Sequence, residues 1–185
     1  WSSDVCSSDL DTMAYGDCPA TYISWDEIHN LFLSKLGSEY YLPTEAQWEY
    51  SCRAGSTSQF FWGDSPDKIG IYAWYVGNAH EKRECYAHLV GKKKPNYWGL
   101  HDIIGNIWEK CEDVYIKSSS QNTIEAKIET RTDTVLREPG NTRVEKGGAW
   151  DTFISYCRCS KRSFSKIDNK DGSTGFRIAK IINAM

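Results

Sequence analysis

The chain has 185 residues, 40% of them apolar and 14% aromatic, which is enough for one domain with a substantial core. Its 22 Lys and Arg against 25 Asp and Glu give a net charge of −3, which favours neither nucleic-acid binding nor docking on an anionic membrane. No stretch approaches the roughly 20 apolar residues that cross a bilayer, so no membrane insertion is expected; the chain is also expected to be a monomer with no nucleic-acid partner.

Residues 1–10 lack periodicity, hold two Ser-Ser-Asp repeats and back-translate into the tail of a common sequencing adapter. They are expected to be an artefact and are set apart from fold reasoning, leaving residues 11–185 as the domain. Without Asp4 and Asp9 the balance is 23 acidic to 22 basic residues, a net charge of about −1. Lys92-Lys93-Lys94 is a short basic run of the kind a solvated loop carries.

Ser24 followed by Glu27 is a capping box, and Ile28, Leu31, Phe32 and Leu36 recur at helical spacing until Gly37 supplies a stop. A second device follows at Thr44 and Gln47. Pro43 ends an extended segment, Thr44 caps, Glu45 suits the positive helix end and Trp48 faces inward, which predicts a shorter helix to about Arg53. Beyond Ala54 turn signals dominate, with short strands expected around residues 103–109, 143–150, 156–162 and 175–181. Residues 117–134, rich in Ser, Thr and Glu, read as a surface hairpin or insertion. There is no internal repeat and no second domain.

Seven cysteines include Cys6 in the doubtful leader, and none of the others has the paired spacing of a zinc site. Cys157 and Cys159 lie two apart, so in a strand both would point to one face. Buried free thiols in a cytoplasmic protein and a disulfide in an oxidising compartment are both open on this count.

Four motifs in fixed order span most of the chain: Tyr41-Leu42-Pro43-Thr44-Glu45-Ala46-Gln47-Trp48-Glu49-Tyr50, Gly105-Asn106-Ile107-Trp108-Glu109, Gly147-Gly148-Ala149-Trp150 and Gly175-Phe176-Arg177. Pro95-Asn96 and Gly99-Leu100 precede the second. This set resembles the formylglycine-generating enzyme (sulfatase-modifying factor) family over about residues 18–180. The resemblance implies an α+β, C-type-lectin-like fold, loop-rich, with two helices packed on short antiparallel strands. The family's opening strand and helix, ahead of a segment like Ile23-Ser24-Trp25, are missing, so the chain reads as a fragment truncated at its N-terminus. The lost region would hold any signal peptide, and an extracytoplasmic location is the favoured reading.

The resemblance also implies sites. A structural Ca²⁺ would be held by the Asp102 and Glu109 side chains and the Gly105 and Ile107 carbonyls, an oxygen set that suits this hard cation. A second family calcium site would fall on Asn78. A disulfide would join Cys52 to Cys159 or Cys157. Family oxidases hold Cu(I) with two thiolates five residues apart. Counting from Gly147-Gly148 puts those positions on Thr152 and Cys157; counting back from Arg162 puts them on Ala149 and Ile154. Either register loses the pair, so Cys157, with Thr152 at the partner position, is the sole catalytic candidate. An iron oxygenase would need a His motif that His29, His80, His88 and His101 do not form.

Residues 151–156 and 163–174 line the ligand face of the resembled fold, where Phe153, Tyr156 and Phe164 are candidate contacts for a peptide, protein or glycan. Apart from Lys166 and Lys170, every residue in these loops is reachable by altering the adenines of an Asn codon. Arg162 and Arg177 read as structural partners of Glu45 or Glu49. The expected role is a calcium-stabilised binding or accessory domain. One alternative is a copper-dependent oxidase that converts a sulfatase cysteine to formylglycine. The other is a hypervariable ligand-binding protein of a diversity-generating retroelement.

Overall fold

Two capping boxes start the two helical segments, as the sequence predicts. The Ser24 hydroxyl accepts from the Glu27 amide while the Glu27 carboxylate takes the Ser24 amide, and Thr44 and Gln47 repeat the exchange. A computed structural model describes residues 17–116 and 140–181. The expected leader artefact at 1–10 and the expected insertion at 117–134 lie outside the described residues.

The first segment runs from α1 (Trp25–Glu27) through a π-helical stretch (Ile28–Leu33) into α2 (Ser34–Leu36), and Gly37 closes it at φ 111°. Its buried stripe differs from the predicted one. The π-helix bonds i to i+5 and so returns Leu33 to the Ile28 face. Ile28 and Leu33 are buried, whereas Leu31, Phe32 and Leu36 stay exposed. The second segment, α3 (Glu45–Arg53), ends at Ala54 in the left-handed region and buries Trp48 and Cys52, one turn apart.

The described strands form two sheets. β1 (Tyr40–Tyr41) pairs antiparallel with β6 (Ala179–Lys180). The larger sheet runs β4 (Ser163–Lys166), β3 (Thr142–Lys146), β2 (Trp108–Val114), β5 (Thr174–Gly175). The fold is α+β, with helices on short strands, and its pairings are antiparallel apart from the parallel β2 and β5. A short α4 (Ile69–Tyr72) lies in the long loop region between α3 and β2.

Strand positions depart from expectation where the backbone turns left-handed. Asp102, Gly105 and Asn106 have φ of 52°, 76° and 67°, so residues 103–107 form a buried loop and β2 begins at Trp108. A Cβ on Gly105 would sit 2.3 Å from the Trp74 carbonyl oxygen, which only glycine tolerates. β3 stops at Lys146 because Gly147 and Gly148 turn with φ of 100° and 79°. Cys157 and Cys159 follow a 3₁₀ turn (Ile154–Tyr156) rather than occupying a strand, so strand alternation does not decide which of them reaches Cys52.

The main core gathers Trp48, Cys52, Phe60, Phe61, Ile103 and Val144 under the sheet, and a smaller one holds Ile28, Leu33 and Leu42. Two lysines are buried with it. Lys146 Nζ lies 3.0 Å from Glu49 Oε2, and Lys110 Nζ lies 3.2 Å from Glu145 Oε1, its neighbour across β2 and β3. Such charges are tolerated in the interior only when paired. Arg162 Nε donates to Glu45 Oε1 at 2.6 Å, as expected. Among the described residues no helix is long and apolar enough to cross a membrane.

Candidate functional site

The glycine pair after β3 shapes the one place where the expected catalytic positions meet. A Cβ on Gly148 would lie 2.9 Å from Cys157 Sγ and 3.1 Å from Thr152 Oγ1, so the thiol and the hydroxyl face one another across the glycine. Thr152 is fixed by its own turn: Oγ1 accepts from the Ala149 amide and donates to the Ala149 carbonyl, both at 2.9 Å. Cys157 is fully buried. Burial pushes its thiol up to about 12, and the Thr152 hydroxyl only partly offsets that. Of the two registers, the one counted from Gly147-Gly148 has its two positions side by side, a hydroxyl beside a protonated thiol.

The other two cysteines of interest pair elsewhere. Cys52 and Cys159 are buried thiols in hydrogen-bond contact. Burial drives the Cys52 thiol well up, and the hydrogen bond from Cys52 holds the Cys159 thiol down. Of the two partners considered for Cys52, the structure brings Cys159 to it and leaves Cys157 with Thr152.

The 102–109 loop meets a calcium ion's requirements only in part. Asp102 Oδ2 accepts from the Gly91 amide at 2.7 Å, but Oδ1 is buried with no partner, and burial raises the carboxyl above its usual range. An adjacent cation would relieve both conditions. Glu109 is committed: Oε1 takes Arg177 Nη2 at 2.7 Å, and Oε2 takes Arg177 Nε at 2.8 Å and Trp48 Nε1 at 2.6 Å. Arg177 thus pairs with Glu109, not with the Glu45 or Glu49 expected from the sequence. The Gly105 carbonyl also receives the Ile107 amide. Asn78 spends its amide group locally, Oδ1 on the Tyr75 amide and Nδ2 on the Ala73 carbonyl.

On the ligand face, Phe153, Tyr156 and Phe164 are 65%, 40% and 52% exposed, so all three offer apolar surface to a partner. Lys161 Nζ lies 4.5 Å over the Tyr156 ring, while Phe164 stacks on Tyr115 at 4.3 Å. The four histidines sit apart: His29 by Glu112, His80 on Trp150, His88 on Trp74 and His101 at the Lys93 carbonyl. Among the described residues no group of three or more His, Cys, Asp or Glu is placed to hold a metal.

Sequence reasoning missed Asn106 as a brace. Its side chain accepts from the His88 amide and donates to the His88 carbonyl, tying the loop after Trp74 to β2. The Gly105-Asn106 dipeptide was the available signal in the sequence.

A family model described as "Sulfatase-modifying factor enzyme 1-like domain" matches residues 2–182. The chain belongs to this family. The formylglycine-generating enzyme of Mus musculus is 33% identical over 173 residues, covering 87% of this chain and 44% of the relative. That of Thermomonospora curvata is 31% identical over 172 residues, covering 87% and 55%. This sulfatase-modifying factor domain thus spans about half the length of the curated relatives it matches. Its fold is similar to that of PvdO from Pseudomonas aeruginosa, with a TM-score of 0.74, 22% identity and coverage of 90% and 63%. It is also similar to Treponema denticola variable protein 1, with a TM-score of 0.66, 22% identity and coverage of 96% and 76%.

Proposed function

We propose that this sulfatase-modifying factor domain is a binding or accessory domain and not a cysteine-oxidising enzyme. The carrying observation is the meeting of Cys157 and Thr152 across Gly148. Cu(I) is soft and favours thiolate ligands, whereas a threonine hydroxyl is hard and neutral. A buried thiol held up to about 12 is protonated at neutral pH, so a metal would have to displace its proton to bind there. The remaining thiols of this region, Cys52 and Cys159, are enclosed in the core beneath the sheet.

The face on which a partner would sit is the 151–156 turn, with Phe153 and Tyr156 outward and Lys161 beside them. Aromatic side chains flanked by a cation suit a peptide, a protein loop or a glycan. A structural calcium ion belongs to the same proposal, with Asp102 as its charged ligand. With Glu109 held by Arg177, Asp102 is the one carboxylate left to the donor set, and weak affinity of about 10⁻⁴–10⁻³ M is expected. Calcium would stabilise the loop and take no part in chemistry.

A second reading, a hypervariable ligand-binding protein, draws support from the likeness in fold to the Treponema denticola variable protein and from the exposed side chains at 151–156. It predicts sister sequences that differ mainly at residues 151–174. The test of the main proposal is a peptide and glycan array probed with wild-type chain and with a Phe153→Ala, Tyr156→Ala double variant. Retained ligands that the double variant loses by about tenfold or more support it; equal binding by both proteins would refute the assigned face.

A further inference from the structure

A concave site that shares no lining residue with the face at Phe153 and Tyr156 lies between the π-helix, α3 and the β2–β3 pair. It is a cleft of about 850 Å³, within the range of ligand pockets. Its floor is Leu33 and Leu42, and one wall carries Trp25, His29, Glu112 and Arg143. The π-helix that positions His29 is a rare element that concentrates at functional sites.

The polar groups of that wall are incompletely satisfied. His29 Nε2 lies 3.0 Å from Glu112 Oε2 but off the line of a hydrogen bond, so both atoms are buried without one. Arg143 Nε is likewise buried with no acceptor, while its guanidinium rests 4.2 Å over the Trp25 ring and the His29 ring lies 3.9 Å from the same indole. Buried donors and acceptors left unmade are costly, and such groups in a native fold call for a partner. Here the open valences are a cationic donor and an anionic acceptor on one wall, above an apolar floor.

We propose that this cleft binds a short zwitterionic peptide or amino acid: the ligand's carboxylate on Arg143, its ammonium on Glu112, and an apolar side chain on Leu33 and Leu42. Arg143 suits a carboxylate because its guanidinium presents donors in a planar fork. Glu112 then exchanges its misaligned histidine contact for a charge-assisted hydrogen bond. The site is independent of the face assigned to Phe153 and Tyr156.

The experiment uses the dipeptide Gly-Phe, its C-terminal amide and its N-acetyl form, titrated into the wild-type chain while the Trp25 indole resonance is followed by NMR. The free dipeptide is expected to shift that resonance with saturation below about 10 mM. Each blocked form should bind about tenfold more weakly, because each leaves one wall charge unpaired. Arg143→Gln should lose the distinction between acid and amide, and Glu112→Gln the distinction between amine and acetyl. Equal binding of all three peptides, absence of any shift, or equal binding of inorganic phosphate would overturn the proposal. The blocked-peptide comparison needs no variant, so it stands even if a substitution impairs folding.

Discussion

Arg177 grips Glu109 with two parallel hydrogen bonds, Nε to Oε2 at 2.8 Å and Nη2 to Oε1 at 2.7 Å, while Trp48 Nε1 closes on Oε2 from α3. One carboxylate thereby ties β2, the segment after β5 and the second helix together. Arg177→Met leaves Glu109 buried without its counter-charge and with Trp48 Nε1 as its remaining donor, and a loss of about 3–5 kcal/mol is expected from chemical denaturation. A loss under about 1 kcal/mol would show that the pair is not a structural tie.

Calcium should act weakly and through Asp102. Adding the ion at millimolar concentration is expected to raise Tm, EDTA to reverse the rise, and Asp102→Ala, which removes the side-chain oxygens, to abolish it. An affinity tighter than about 10⁻⁶ M would mean that Glu109 leaves Arg177 to join the ion.

Contact between Cys52 and Cys159 predicts a specific response to oxidant. Mild oxidation should join them and not Cys157, as peptide mapping of the oxidised chain would reveal. Closing a loop of about 100 residues stabilises by at most about 4–5 kcal/mol on the chain-entropy account, so Tm should rise and Cys159→Ala should cancel the rise. A cross-link from Cys52 to Cys157 would contradict the geometry.

The Cys157 thiol carries a pH signature. Its folded pKa is raised from 9.0 to about 12, so the stability it adds is fully present below pH 9 and is lost as pH climbs through that window. The stability difference between wild type and Cys157→Ala should shrink from pH 9 towards pH 12. Native chain at pH 8 should also resist alkylation at this residue. Rapid modification there would show that the thiol is neither buried nor protonated.

The helix starts were legible because capping is local: Ser24 with Glu27 and Thr44 with Gln47 need only three residues of context. The burial of Leu33 instead of Leu31 and Phe32 was not, because a π-helix changes the angular period without a sequence mark. The motif Gly105-Asn106-Ile107-Trp108-Glu109 pointed to the right loop. Its strand assignment failed where left-handed residues replace extended ones, a choice set by the Trp74 carbonyl pressed against Gly105. Counting along the chain gave Thr152 and Cys157 as one of two registers, and only the fold shows that they flank Gly148 together. The partner of Arg177 and the cleft beside Trp25 were not legible, since both join residues more than 60 positions apart.

Under the proposed function, the hydroxyl opposite Cys157 gives Cu(I) no second thiolate. Anaerobic titration of Cu(I) into the chain, against a competing chelator and followed by O₂ uptake with a cysteine-containing peptide, tests it directly. No copper should be retained at Cys157, and no peptide-dependent O₂ consumption should follow. One copper held per chain, lost in Cys157→Ala and coupled to O₂ uptake, would contradict it.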